Sequence, residues 1–216
     1  AGVGAAGTAC AKILMRFGVK NIIGCDRQGV LSRSRDYGEN IYKHWFAHHT
    51  NPEDSEGKLY EQLQNCDFFL GLAGPGVVTT DHLRQMNNRA IVFALANPVP
   101  EIYPEEVPEN VSVVATGRSD YPNQINNVIC FPGLFRGVLD VRASEINEEM
   151  NIAAAEAIAG SIPDNNLSED FIIPNVFDKQ VPRRVSQSVS RAAHDSGVAR
   201  RSRRSGQKIY SPFRLR

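Results

Sequence analysis

The chain has 216 residues, 42% hydrophobic and 22% charged, with 24 basic and 24 acidic side chains in formal balance. That is enough chain for one substantial core, and the composition excludes a low-complexity or disordered polymer. No apolar run approaches the roughly 18 residues a membrane-spanning helix needs and no signal-peptide pattern opens the chain, so no membrane partner is expected.

From its first residues the chain alternates helical patterns with short apolar runs. Gly2-Val3-Gly4-Ala5-Ala6-Gly7 fits the GxGxxG spacing. The first glycine permits a tight turn, the second lets the backbone approach a pyrophosphate, and the third allows helix to pack on sheet. A helix over Ala5 to Phe17 follows, stopped by Gly18, and its N–H groups and positive dipole end suit phosphate. Lys20 to Cys25 predicts a short buried strand, and Asp26 ends it nineteen residues after Gly7. That is the place of an acid that accepts hydrogen bonds from an adenosine ribose. Asp26 repels a 2′-phosphate and favours NAD, whereas Arg27, with Ser32, Arg33 and Arg35 close behind, offers guanidinium clamps for NADP. A plain solvated loop is the other reading of those arginines, and both cofactors stay open.

An aromatic helix is predicted near Ile41 to His49. Its His44 and His48 lie one turn apart and His49 adjoins them, but no acid or Cys completes a metal set there, so they read as a solvated face. Asp67 to Leu72, Ala90 to Ala96 and Val111 to Ala115 are continuous apolar runs bounded by turn residues, as in buried parallel strands. Helical patterns cover Thr80 to Asn87, Asn126 to Val141, Asn147 to Gly160 and Gln180 to Ser196. The alternation predicts an α/β, doubly wound (Rossmann-type), mostly parallel sheet flanked by helices. In such a fold the glycine turn follows the first, central strand. Here the turn starts at residue 2, so the chain is expected to be a fragment lacking that strand, with two backbone ladders left unpaired.

Three loops carry the remaining chemistry. Gly74-Pro75-Gly76 follows one predicted strand, as a close-approach loop or a plain strand-to-helix turn. Asn97 lies just past the next strand's carboxyl end, where open α/β sheets bind ligands. Pro98 holds it extended, unless the pair is only a turn with a local capping role. Asn126 and Asn127 close a block, Ala115 to Gly137, that is rich in carboxamides and turn residues. A neutral amide donates to a carboxylate without adding charge; the alternative is helix capping ahead of Val128. Arg118, Ser119 and Asp120 predict a buried Arg–Asp pair that braces the loop.

The neutral total hides an asymmetry. From Arg183 onward ten Lys or Arg face a single acid, Asp195, so this end carries +9 and the rest −9. Such a tail suits nucleic acid or anionic surfaces. Only Tyr210 and Phe213 interleave its last residues, with no recognition motif, so nucleic acid is not an expected partner and 199–216 reads as a disordered basic tail. Cys10, Cys25, Cys66 and Cys130 are scattered in apolar contexts, as buried free thiols of a cytoplasmic protein are.

GVGAAG, CDRQGV, FALANPVPEI and ATGRSDYPNQINNVICFPGLFRG, in that order, resemble the nucleotide-binding domain of malic enzymes of bacterial type over Ala1 to about Ala199. The resemblance fails after Val198. It implies an NAD(P)-binding domain at 1–198 and, in the full protein, oxidative decarboxylation of (S)-malate to pyruvate. Gly2, Val3, Gly4, Ala5, Ala6, Gly7, Asp26, Arg27, Gly74 and Asn97 would hold NAD or NADP. Asn97, Asn126 and Asn127 would contact the substrate. In the family the Lys base, the Tyr acid and the carboxylates that bind Mg or Mn all precede the glycine turn. No catalytic or metal residue is therefore expected here, and the chain alone is expected to be inactive. A homo-oligomer is implied for the full protein. Two other readings are a malolactic enzyme fragment, which yields lactate without net redox change, and a non-catalytic dinucleotide-binding module.

Overall fold

The computed structural model describes residues 1–201, so most of the expected basic tail, 202–216, lies outside the described residues. The described residues form two compact units, Ala1–Ile125 and the residues from Asn126 onward.

In the first unit, helix α1 (Ala5–Arg16) leads into a two-residue antiparallel hairpin, β1 (Cys25–Asp26) with β2 (Gly29–Val30), and then α2 (Ile41–His49). After a single turn, α3 (Leu59–Gln62), come β3 (Phe68–Gly71), α4 (Thr80–Leu83), β4 (Ala90–Ala94) and β5 (Val111–Thr116). The last three strands form a parallel sheet in the order β3-β4-β5, with Phe69 opposite Val92 and Val92 opposite Val114. One face of β4 is closed: Ala90, Val92 and Ala94 lie in a core with Leu63, Phe69, Val78, Leu83, Met86 and Ile102. The other face is not, since Ile91 is exposed and Phe93, edge-on to Phe68 at 5.1 Å, is half-buried.

Lys20 to Cys25 does not form the predicted strand; only its last residue enters one. The segment finds partners singly rather than as a ladder: Ile22 O accepts from Asn51, Gly24 O from Leu31 and Cys25 O from Gly2, at 2.7, 2.9 and 3.1 Å. Ala1 bonds the other side, donating its N–H to Leu70 O at 2.7 Å and accepting at its carbonyl from Leu72 N at 2.9 Å. The helix expected to reach Asn87 stops at Leu83 because Asn110 Nδ2 takes the carbonyls of Leu83 and Met86, at 3.0 and 3.2 Å. A four-residue helix such as α3 is too short to leave a periodic signal.

The second unit is helical: a 3-10 turn (Asn127–Ile129), then α5 (Phe131–Val141), α6 (Glu148–Ala159) and α7 (Gln180–Asp195). Along α7, Val181, Val185, Val189 and Ala193 recur every four residues and are all buried, as one face of an amphipathic helix requires. α5 meets that face through two glycines. A Cβ at Gly133 would stand 2.7 Å from Val185 Cβ, and one at Gly137 2.9 Å from Val189 Cβ. From α6, Met150 and Ala154 complete the core. Beyond α7 the chain folds back on α5, with Arg200 and Arg201 N–H groups both at 3.0 Å from Val141 O. Among the described residues no helix is long and apolar enough to cross a membrane.

Candidate functional site

The glycine turn is built as its spacing requires. Gly2 has φ +91°, and a Cβ there would lie 2.5 Å from Leu72 O, so both the conformation and the neighbour demand glycine. A Cβ on Gly7 would collide with Gly2 O. Gly4 is different: an added Cβ would meet nothing within 4 Å. Its backbone, with Ala5 and Ala6, is exposed at the start of α1, and no side chain caps that helix. An uncapped, open helix N-terminus fits a pyrophosphate. Val3 contributes backbone alone, for its side chain is buried with Ala11, Leu31 and Phe46.

Gly2 donates to Cys25 O, which brings Asp26 next to the turn. The Asp26 carboxylate accepts from Gln28 N (2.9 Å) and Gly29 N (3.2 Å), which hold the β1–β2 turn. It also accepts from Arg35 Nη2 (3.0 and 3.1 Å) and Lys43 Nζ (2.6 Å). Arg35 is itself fixed by the carbonyls of Gly29 and Val30 and by Gln28 Oε1, at 3.2, 2.5 and 2.8 Å. Burial pushes the Asp26 carboxyl up, but the bonds from Lys43, Arg35 and Gln28 together hold it below the ordinary carboxylate range. Arg27 is exposed and takes no part in this cluster. Lys43 was invisible to sequence reasoning, because it lies seventeen residues away on α2 and no local spacing links it to Asp26.

At the carboxyl ends of β3 and β4 lies a cavity of about 500 Å³ lined by Ala6 of α1, by the loop through Gly74 and by the loop through Asn97. Gly74 and Gly76 have φ of +156° and +71°, with open space where side chains would be. Asn97 is exposed at the rim. The structure therefore brings together one end of the glycine turn, Gly74 and Asn97, and sets Asp26 at the other end of that turn.

In the second unit, Asn126 Oδ1 caps the 3-10 turn by accepting from Val128 N at 3.1 Å, which leaves its amide donors, and Asn127 is exposed. Two expectations change. The Arg118–Asp120 pair forms, with Nε to Oδ1 at 2.9 Å, but its side chains are 35% and 54% exposed, so it is a surface pair; Arg118 lies between the Tyr103 and Tyr121 rings. Of the four free thiols only Cys25 is buried, and burial pushes its pKa up to about 11; the others are half-buried. The exposed rings of His44 and His48 stack at 6.5 Å, and His44 Nε2 lies 2.8 Å from Gly38 O. Among the described residues no group of three His, Cys, Asp or Glu is placed to hold a metal, so no metal ligand is assigned to them.

Residues 1–194 match the family described as "Malic enzyme, NAD binding domain". The chain is 52% identical to the NAD-dependent malic enzyme of Geobacillus stearothermophilus over 93% of its own length and 42% of that protein's. It is 48% identical to the bifunctional malic/malolactic enzyme of Bacillus subtilis, over 92% and 49% of the two chains. NADP-dependent malic enzymes are among its further relatives. The crystal structure of a malic enzyme from Pyrococcus horikoshii superposes with a TM-score of 0.84 at 43% identity, over 93% of this chain and 48% of that one. The chain spans 42% and 49% of the length of the first two of these relatives and 28% of the Rhizobium meliloti NADP-dependent malic enzyme. With the open glycine turn, the acid beside it and the strand-end cavity on one scaffold, the chain belongs to the malic enzyme NAD-binding domain family.

Proposed function

We propose that residues 1–198 are the dinucleotide-holding part of an enzyme that oxidises and decarboxylates (S)-malate to pyruvate with reduction of NAD or NADP. The observation that carries this reading is the cavity whose wall joins Ala6, Gly74 and Asn97 at the ends of parallel strands. When bound, the dinucleotide supplies the hydride acceptor. The chain's own residues bind and orient: the N–H groups at Gly4 to Gly7 take the pyrophosphate, and Asp26 accepts from the adenosine ribose. The Gly74 loop approaches the dinucleotide closely because Gly74 and Gly76 carry no Cβ. Asn97 in the first unit is one donor for a substrate carboxylate, and the family resemblance makes Asn126 and Asn127 of the second unit others; each amide donates without adding charge. The base, the acid and the ligands of a divalent Mg or Mn are assigned to the rest of the full-length protein. A cytoplasmic homo-oligomer is the form we assign to it.

The test is product analysis of the full-length protein with malate, a divalent metal and each cofactor. Pyruvate with stoichiometric NAD(P)H is expected. Lactate without net reduction would establish the malolactic reading, which the Bacillus subtilis relative's name brings into view. Tight dinucleotide binding with no turnover of malate would establish a binding module instead.

A further inference from the structure

Behind the two loops of the cavity stands a carboxylate that the proposed function leaves without a task. Glu101 is 1% exposed, and a buried carboxylate is costly unless its oxygens are bonded. Here each oxygen takes one backbone N–H from a different loop: Oε1 accepts from Ala73 at 2.9 Å and Oε2 from Ala96 at 3.0 Å. Its own carbonyl accepts from Gly76 N at 3.1 Å. The β3–β4 pairing reaches Leu95, whose N–H bonds Gly71 O at 3.1 Å. Past that point the loops diverge, and the carboxylate spans the gap as a final rung. Room for it exists because residue 71 is glycine: a Cβ there would lie 2.7 Å from Oε2 and 2.8 Å from Cγ. Ala73 and Ala96 both line the cavity and directly precede Gly74 and Asn97.

We infer that Glu101 is a positioning residue: its carboxylate sets the spacing between the Gly74 loop and Asn97, and so the place where the Asn97 carboxamide meets substrate. The proposal rests on the functional reading of the cavity, but its geometric half is testable without it. Glutamine keeps the size of Glu101 but offers one acceptor where two N–H groups need one, so one loop loses its anchor.

In full-length Glu101→Gln, hydrogen exchange at Ala73 or Ala96 should accelerate by at least about tenfold while Phe69 and Val92 in the ladder keep their protection, because a charge-assisted bond is lost. Malate KM should rise by about tenfold or more and kcat should fall with it, as a displaced contact predicts. The dinucleotide Kd should rise less than malate KM, since the glycine turn that takes the pyrophosphate hangs from Cys25 O rather than from Glu101. Unchanged exchange at both alanines, or unchanged kinetics in an enzyme that oxidises malate, overturns the proposal. If the wild-type protein does not oxidise malate, the functional reading fails, and the exchange data alone decide the strut. Should E101Q not fold, Glu101→Asp, which keeps both acceptors and shortens their reach, carries the same measurements. If neither folds, Glu101 is a fold determinant and the positioning role falls.

Discussion

Two glycines of one turn do opposite jobs, and substitution separates them. At Gly4 a methyl group meets only open space, so Gly4→Ala should cost under about 1 kcal/mol as a poorer helix cap yet weaken dinucleotide binding about tenfold or more by crowding the pyrophosphate. Gly7→Ala instead drives Cβ into Gly2 O and should destabilise by about 1–3 kcal/mol, as overpacking does. Urea unfolding beside a fluorescence titration of NAD(P) checks the pair; equal losses in both assays for both variants would refute the division. Asp26 makes a pH prediction. Its pKa is lowered in the fold, so the stability it contributes is complete above its unfolded value near 4 and is lost as pH falls through the native value. Asp26→Asn should therefore show the shallower loss of stability on acidification below about pH 4; parallel curves would contradict it. Lys43 tests cofactor choice. Lys43→Ala removes one cation and leaves Asp26 less neutralised, which penalises a 2′-phosphate and spares a ribose hydroxyl. The ratio of kcat/KM for NADP over NAD should drop by about tenfold, the worth of a hydrogen bond to a charged group, and an unchanged ratio would discard the role.

Among the elements, the α5–α7 contact is the most demanding. Helices approach this closely only where one of them lacks side chains, and Gly133 and Gly137 provide that against Val185 and Val189. Gly137→Val should destabilise by about 1–3 kcal/mol through overpacking, read as a lower midpoint in denaturant at unchanged slope; an unshifted midpoint would mean the helices separate freely. α7 was legible from its valines every fourth residue, and α2 from its aromatic pattern closed by polar residues. β3, β4 and β5 were legible as apolar runs. What failed was whatever depended on a partner distant in sequence. Lys20 to Cys25 reads as a strand by composition but has no ladder to join, and the end of α4 is decided by Asn110. The cation beside Asp26 sits on another helix, and Glu101 hides in a motif whose visible residues are Asn and Pro.

For the molecule as a whole, the decisive measurement compares 1–216 with the full-length enzyme. On the proposed function the residues here bind and orient, and the base, acid and metal ligands implied by the family resemblance are assigned outside them. Purified 1–216 should bind NAD or NADP yet leave malate unoxidised in the presence of magnesium, since general base catalysis alone is worth about 10²–10⁴-fold. Growth of the NAD(P)H absorbance at a rate near that of the full enzyme would refute the partition. The proposed cofactor half of the site can be read from sequence because a backbone turn needs glycines at fixed spacing. The proposed substrate half rests on resemblance alone, since a lone carboxamide such as Asn97 or Asn127 has no spacing of its own.

The missing side chain at Gly71 has a consequence for how this sequence can drift. Position 71 tolerates no side chain while position 101 holds a carboxylate, and the carboxylate reaches both loops only while position 71 stays bare. Neither residue can change first without a penalty, so the two are locked as a pair thirty positions apart. A lineage that enlarges residue 71 must first find another way to anchor Ala73 and Ala96.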